Sequence, residues 1–399
     1  MNGIERYLNP LRWFAALVLA AFVAGCGGGG DGDGGGTGTL GVSLTDAPAC
    51  GFNAVNVSVS KVRAHVSGDA SEDSGGWAEI TLSPARKINL LDLTNGVVET
   101  LGETTLPAGH YTQLRLVLVA NNGSNPPNNS VVLSGAPGEE IPLTTPSAVQ
   151  SGIKLINEFD VAPGQRVDVM LDFDACKSVV RRGNGSHLLK PVIKVIPTVL
   201  NGINGFVDTS LSNVMVSAQV GGTVLRSTVP DTLTGAFLLA RLAPGNYDVV
   251  ITADNHATAI IGTVPVADIG SMVMVSDSAA PISLPPSTTR SISGNVSLNP
   301  ASATEEVVFA AAKHISGAEQ VTVKSQAANL DTGAYTLTLP VGAPLFGQYG
   351  SGTLPIALAK QDALAGKYNV EASATGYQTQ SFSWDISMPD AIPDFTLTP

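Results

Sequence analysis

The chain has 399 residues, 44% of them hydrophobic but only 5% aromatic, with 43 Gly and 25 Pro. That mixture suits short strands joined by tight turns and excludes a helical bundle or coiled coil. Lys and Arg number 21 against 33 Asp and Glu, for a formal net charge of -12, which repels a phosphate backbone and excludes nucleic acid as a partner.

Arg6 and Arg12 flank the start of Trp13–Ala24, an apolar run without charge. The run is shorter than the roughly 20 residues that a permanent membrane span needs. It ends in Val23-Ala24-Gly25-Cys26, which resembles the bacterial lipoprotein signal. Small side chains admit a signal peptidase there, and the thiol accepts a lipid as a thioether. Residues 1–26 are therefore read as an address; the alternative is an ordinary secretory signal with an incidental cysteine. The resemblance implies that the membrane is a partner through lipidated Cys26, held stably by several acyl chains. With Gly27 after the cysteine, it also implies the outer membrane of a Gram-negative bacterium. Residues 27–38 are glycine broken only by Asp31, Asp33 and Thr37, the composition of a flexible tether. An EF-hand loop starting at Asp31 fails, because its twelfth position is Val42 and not Glu.

Two cysteines remain, Cys50 and Cys176. An exported chain folds under oxidising conditions, so they are read as one disulfide, with two separate buried thiols as the alternative. No Cys/His cluster has zinc spacing, and no cofactor is expected. A bridge would carry Asp46, Asp172 and Asp174 into one neighbourhood. Close carboxylates need a cation, whether Lys154, Lys177, Lys190 or a bound Ca²⁺. The plainer reading makes them turn and strand-end aspartates bonded to backbone amides.

Apolar and polar residues alternate along Gly41–Asp46, Val55–Val66, Tyr111–Ala120 and Val167–Asp174, which predicts strands. Leu188–Val199 closes this first unit, an all-β sandwich over residues 39–200. No window carries a helical period longer than about three turns. A repeat follows. Asp231-Thr232-Leu233-Thr234-Gly235-Ala236-Phe237 precedes Ala243-Pro244-Gly245-Asn246-Tyr247, and Asp331-Thr332-Gly333-Ala334-Tyr335 precedes Ala365-Gly366-Lys367-Tyr368. Each unit opens with a Gly-centred strand, Ile203–Val207 or Ile292–Val296. The pattern predicts a hairpin with a Thr-Gly turn, then a strand whose tyrosine packs under the Gly corner.

These units, at 201–287 and 288–399 with a boundary in Pro281–Thr289, resemble the carboxypeptidase regulatory-like, transthyretin-like β-sandwich family. That resemblance implies non-catalytic spacers and binding platforms. The first unit resembles a bacterial family known only as a domain of unknown function (DUF4382), usually found at the front of exported lipoproteins. Gly41–Pro48, Leu90–Gly96, Leu106–Tyr111, Gln150–Leu155, Leu171–Ser178 and Leu189–Ile193 carry that resemblance.

Little in the chain points to catalysis. Ser151-Gly152-Ile153-Lys154 fits an S-x-x-K pattern, which works at a helix start, yet here the serine sits in a Gly-containing turn before a strand. The pattern recurs at Ser58–Lys61 inside a strand. His65, His110, His187, His256 and His314 are scattered singly, and Ser186 and His187, as strand neighbours, point to opposite faces. Trp77 in a loop and Trp384 beside Phe382 suit either a sugar platform or the covering of a core end. The function expected is a non-catalytic outer-membrane lipoprotein, its modules in series long enough to project. It would bind a polysaccharide or another envelope protein. The alternatives are a purely structural periplasmic lipoprotein and an enzyme with an unrecognised carboxylate site.

Overall fold

The structure, a computed structural model, describes residues 36–399 apart from 48–50, 137, 197, 199–200, 268–271, 317–318 and 389–393. The lipidation residue Cys26, the tether to Gly35 and Cys50 therefore lie outside the described residues. With 56% strand and 4% helix, the chain is all-β and arranged as tandem sandwiches.

Twelve strands build the first sandwich: β1 (Thr37–Ala47), β2 (Phe52–His65), β3 (Ala78–Asn89), β4 (Glu99–Pro107), β5 (Gly109–Leu118), β6 (Ser130–Leu133), β7 (Ile141–Thr144), β8 (Ile153–Val161), β9 (Arg166–Asp174), β10 (Val179–Arg181), β11 (His187–Leu189) and β12 (Ile193–Ile196). One sheet has the order β12-β9-β1-β4; the other runs β10-β11-β7-β6-β2-β5-β8, with β3 also on β2. Alternation decides the faces. Leu40, Val42 and Leu44 of β1 stand beside Val167, Val169 and Leu171 of the parallel β9, and this inner face meets Val57, Val59, Leu114 and Leu116 of the second sheet.

The second sandwich uses β13 (Gly202–Phe206), β14 (Met215–Val220), β15 (Thr223–Thr228), β16 (Ala236–Ala240), β17 (Gly245–Thr252), β18 (Ala259–Val266) and β19 (Met272–Met274). The third uses β20 (Thr289–Leu298), β21 (Phe309–Ser316), β22 (Glu319–Ala327), β23 (Ala334–Pro340), β24 (Leu345–Gln348), β25 (Ala359–Lys360), β26 (Lys367–Ser373), β27 (Gln380–Asp385) and β28 (Phe395–Leu397). The repeat seen in the sequence is a repeat of topology. Sheet β16-β13-β19 corresponds to β23-β20-β28, and β15-β14-β17-β18 to β22-β21-β26-β27.

The repeated turn has a local cause. Asp231 Oδ1 accepts from the amides of Leu233 and Thr234, as Asn329 Oδ1 does from Asp331 and Thr332. Gly235 and Gly333 then take φ of +72° and +69°, where a Cβ would lie 2.0 Å from the carbonyl oxygen of Val207 or Val296. The tyrosine corner also appears. Tyr247 donates to the Ala243 carbonyl at 2.6 Å, and Tyr111 of the first sandwich donates to Pro107 at 2.9 Å.

The sandwiches, tandem along the chain, also pack against one another. Residues 37–399 form one compact unit, and the first sandwich touches the third as well as the second. Moreover, β24 and β25 leave the third sandwich to extend the second one's sheet, β24 pairing in parallel with β18.

Candidate functional site

Three junctions hold the sandwiches around a common centre. Asp172, on the outer face of β9, meets Arg226 of β15 at 2.5 Å, with both side chains less than a tenth exposed. Burial pushes the Asp172 carboxyl above the ordinary carboxylate range, Arg226 pulls it back, and the charge of Asp174 adds to the rise. Nearby, Asn95 Oδ1 accepts from Leu238 N at 2.6 Å and its Nδ2 donates to Ala236 O at 3.5 Å, so one carboxamide covers the free edge of β16. At the second junction Gln219 repeats this device. Its Oε1 accepts from Thr322 N at 2.7 Å and its Nε2 donates to Thr322 O at 2.8 Å, on the edge strand β22. Between first and third, Arg182 pairs with Glu305 and Asp331, and Gly183 N donates to Asp331 Oδ2 at 2.8 Å.

A crevice runs between these contacts in three lobes. The innermost, about 140 Å³, is walled by all three sandwiches through Lys177, Thr258, Gln326 and their neighbours. A second of about 580 Å³ separates the first sandwich from the third, with Phe52 and His187 across from Gln326 and Thr336. A third of about 910 Å³ has Asp92 and Asn95 across from Asn213 and Asp231. The lobes share walls: Ser325 and Gln326 belong to the first two, Asn213 and Lys324 to the first and third, Phe52 to the second and third.

Its charged lining residues are mixed in sign, Lys177, Arg181 and Lys324 with Asp92, Asp174, Asp231 and Asp254. Asp174 Oδ2 lies 2.8 Å from Lys177 Nζ, and Asn213 Nδ2 donates to Asp254 Oδ2 at 2.6 Å. Two polar groups differ. Thr258 is 1% exposed and His187 5% exposed, and neither Thr258 Oγ1 nor His187 Nδ1 has a hydrogen-bond partner among the described residues. Burial, with the charge of Arg181, holds His187 below its ordinary value, so the ring is neutral at neutral pH.

The expected aspartate cluster does not form a cation cage. Because β1 and β9 are parallel with Asp46 beside Phe173, Asp46 shares the core face while Asp172 and Asp174 lie on the other. Asp46 Oδ1 accepts from Ala175 N at 3.0 Å. Asp174 caps the one-turn helix Ala175–Ser178, accepting from Lys177 N at 3.0 Å. Backbone bonding and lysine pairing thus both occur, but the cation at Asp172 is an arginine that sequence reasoning missed. Among the described residues no group of three His, Cys, Asp or Glu side chains could hold a metal ion. Cys176 lies in the helix after β9.

The remaining candidates are structural. Ser151 ends a short helix, Pro146–Gln150, and precedes β8, as the turn reading of that motif expected. Ser58 and Lys61 lie in β2. Trp77 has the guanidinium groups of Arg63 and Arg115 over its ring, at 4.5 Å and 4.9 Å, and donates to Ser71 O. Trp384 packs against the third core. Trp384 also lines a surface cleft of about 320 Å³ with Lys313 and Asn369. His110 is 2.8 Å from Asp160 at the surface, and His65, buried beside Trp77, accepts from Ser67 N.

Residues 37–191 are similar to the family described as Domain of unknown function (DUF4382). No curated protein matches the chain. Among solved structures, the Bacillus anthracis TIE protein aligns with 91% of this chain and 51% of its own length, at 11% identity and a TM-score of 0.17. This chain thus spans about half the length of that protein. A streptococcal ancillary pilin aligns with 91% of this chain and 98% of its own length, at 9% identity and TM-score 0.20. Two B repeat units of the collagen binding protein of Staphylococcus aureus align with 91% of this chain and 98% of their own length, at 11% identity and TM-score 0.17. Scores this low carry no functional information. What the comparisons give is a similarity of residues 37–191 to a family without an assigned activity.

Proposed function

We propose that this chain is a non-catalytic binding or adhesion module of the bacterial cell envelope, anchored in the outer membrane through lipidated Cys26 and the Gly-rich tether 27–38. The observation that carries the reading is the crevice where three sandwiches meet. Its hydroxyl and amide side chains suit recognition of a polar partner. Val23-Ala24-Gly25-Cys26 supports the anchor.

The reading takes residues 39–200, 201–287 and 288–399 as three domains, supported by three separate cores around Leu44, Val249 and Leu337. The second and third are transthyretin-like modules, supported by their common strand order and turn. A Cys50–Cys176 disulfide belongs to the same proposal. Cys50 is three residues past Ala47, whose partner in the ladder is Asp174, two residues before Cys176. Gly51 and Cys176 also line one lobe.

Protease treatment of intact cells carrying a tag after Pro399 tests the reading. Loss of the tag while a periplasmic control survives is expected. Protection until the outer membrane is broken overturns the adhesion reading in favour of a structural periplasmic lipoprotein. Release of a Cys26→Ala variant from the membrane fraction is the matching result for the anchor.

A further inference from the structure

We infer that the crevice at the three-sandwich junction is the ligand site of this module and that its ligand is a neutral oligosaccharide. The inference rests on the binding reading above and names its site and chemistry. Three observations converge on it.

The first is the pair of orphan groups. Thr258 Oγ1 and His187 Nδ1 belong to side chains more than nine-tenths buried, line two lobes that share Gln326, and have no hydrogen-bond partner among the described residues. An unsatisfied buried hydroxyl or imidazole nitrogen costs stability unless something from outside bonds to it. Together they offer a hydroxyl, which both donates and accepts, and a neutral imidazole, the complement of a hydroxyl-bearing ligand.

The second is charge. Lys177 is paired with Asp174 in the wall, and Arg181 and Lys324 share the lining with Asp92, Asp231 and Asp254. With three cationic and four carboxylate side chains spread over the lobes, neither sign dominates the crevice, and no one-signed field favours a charged ligand. The third is shape and surface. Phe52 and His187 meet edge to face at 6.1 Å beside Leu133, Ile141 and Val179, across from Gln326 and Thr336, which gives the lobe an apolar wall that faces amide and hydroxyl side chains. A sugar ring carries the same two characters, with C–H faces and a hydroxyl rim.

The test uses the full chain in detergent, titrated calorimetrically with dextran, a galactomannan and chitin oligosaccharides as neutral probes. Polygalacturonate and chitosan are the charged probes. Binding of at least one neutral probe, unchanged between low and high salt, is expected. Thr258→Val keeps the side-chain shape and removes only the orphan hydroxyl. It should weaken that binding about five- to tenfold while leaving the thermal midpoint unchanged or raised, since a buried group without a partner contributes no bond to the fold. His187→Phe should do the same without moving the ring.

Retained affinity in Thr258→Val overturns the site, as does binding of polygalacturonate alone with loss at high salt. No binding of any neutral probe overturns the ligand class, and heat of binding matched by ordered water alone in a crystal soaked with the probe does so too. These failures are separate from that of the adhesion reading, which depends on the cell-surface protease result. A chain that binds glycan but is protected in intact cells keeps the site and loses the surface.

Discussion

The first and second junctions use one chemical device in two environments. In both, a carboxamide from one sandwich takes the free N–H and C=O of an edge strand on the next. Asn95 does so from a half-exposed turn, at 2.6 Å and 3.5 Å, and its junction also relies on the buried Asp172–Arg226 pair. Gln219 does so fully buried, at 2.7 Å and 2.8 Å, beside a small apolar cluster of Val250, Ile260 and Val321 and the shared ladder of β18 and β24. The difference teaches that an edge strand can be closed by a side chain instead of a strand, and that burial decides what this closure is worth. A dry carboxamide has no competitor, whereas water can stand in for a wet one. The first junction therefore depends on an ion pair between side chains, the second on backbone.

The largest effect should come from breaking the ion pair. Arg226→Met leaves the Asp172 carboxyl buried without its cation and should cost about 3–5 kcal/mol in urea denaturation. Adding Asp172→Leu should recover most of that loss, because the pair's own desolvation is removed with it. A small effect of the single variant would mean that the first junction, like the second, rests on its carboxamide.

Acid should act next, on the third sandwich, which both the second junction and the contact with the first sandwich need intact. His314 in β21 is 0% exposed, donates from Nδ1 to the Lys367 carbonyl at 3.0 Å and stacks on Tyr368 at 4.2 Å. Burial pulls it down from 6.5 to about 4. Between these values the unfolded chain binds more protons than the folded one. Stability of the third sandwich is thus complete above the unfolded value and falls as pH drops through the window, by about 3 kcal/mol in all. His314→Phe should flatten that slope when the urea midpoint is followed against pH. An unchanged slope would place the acid sensitivity elsewhere.

The smallest effects sharpen the comparison directly. Gln219→Leu strands two buried backbone groups of Thr322 and should cost about 2 kcal/mol, whereas Asn95→Ala, where water can enter, should cost about 1 kcal/mol. Equal losses in denaturation would show that burial does not separate the two caps.

Much of the architecture was legible because it is local. Alternation along residues 167–174 named the inner face of β9, and the Asp-Thr-Gly turns and Gly-Tyr corners announced a repeated module. The tyrosines also show where local reading stops. Tyr247 bonds four residues back, as the corner motif implies, but Tyr368 reaches Pro340, because its ring lies on His314, which no local pattern places there. The site was less legible still. Asp46, Asp172 and Asp174 do approach one another, yet parallel pairing puts the first on the opposite face from the others, a consequence of register between strands more than a hundred residues apart.

By itself the sequence determined the strand-rich composition, the faces of individual strands, the turns and the order of the modules, since each depends on neighbours along the chain. Only the tertiary structure decided that the sandwiches close around a centre, that Asn95 and Gln219 cap edges, and that Arg226 answers Asp172. Those contacts join residues 50 to 150 positions apart, and a polar side chain on a strand carries no mark of whether water or a distant backbone will meet it.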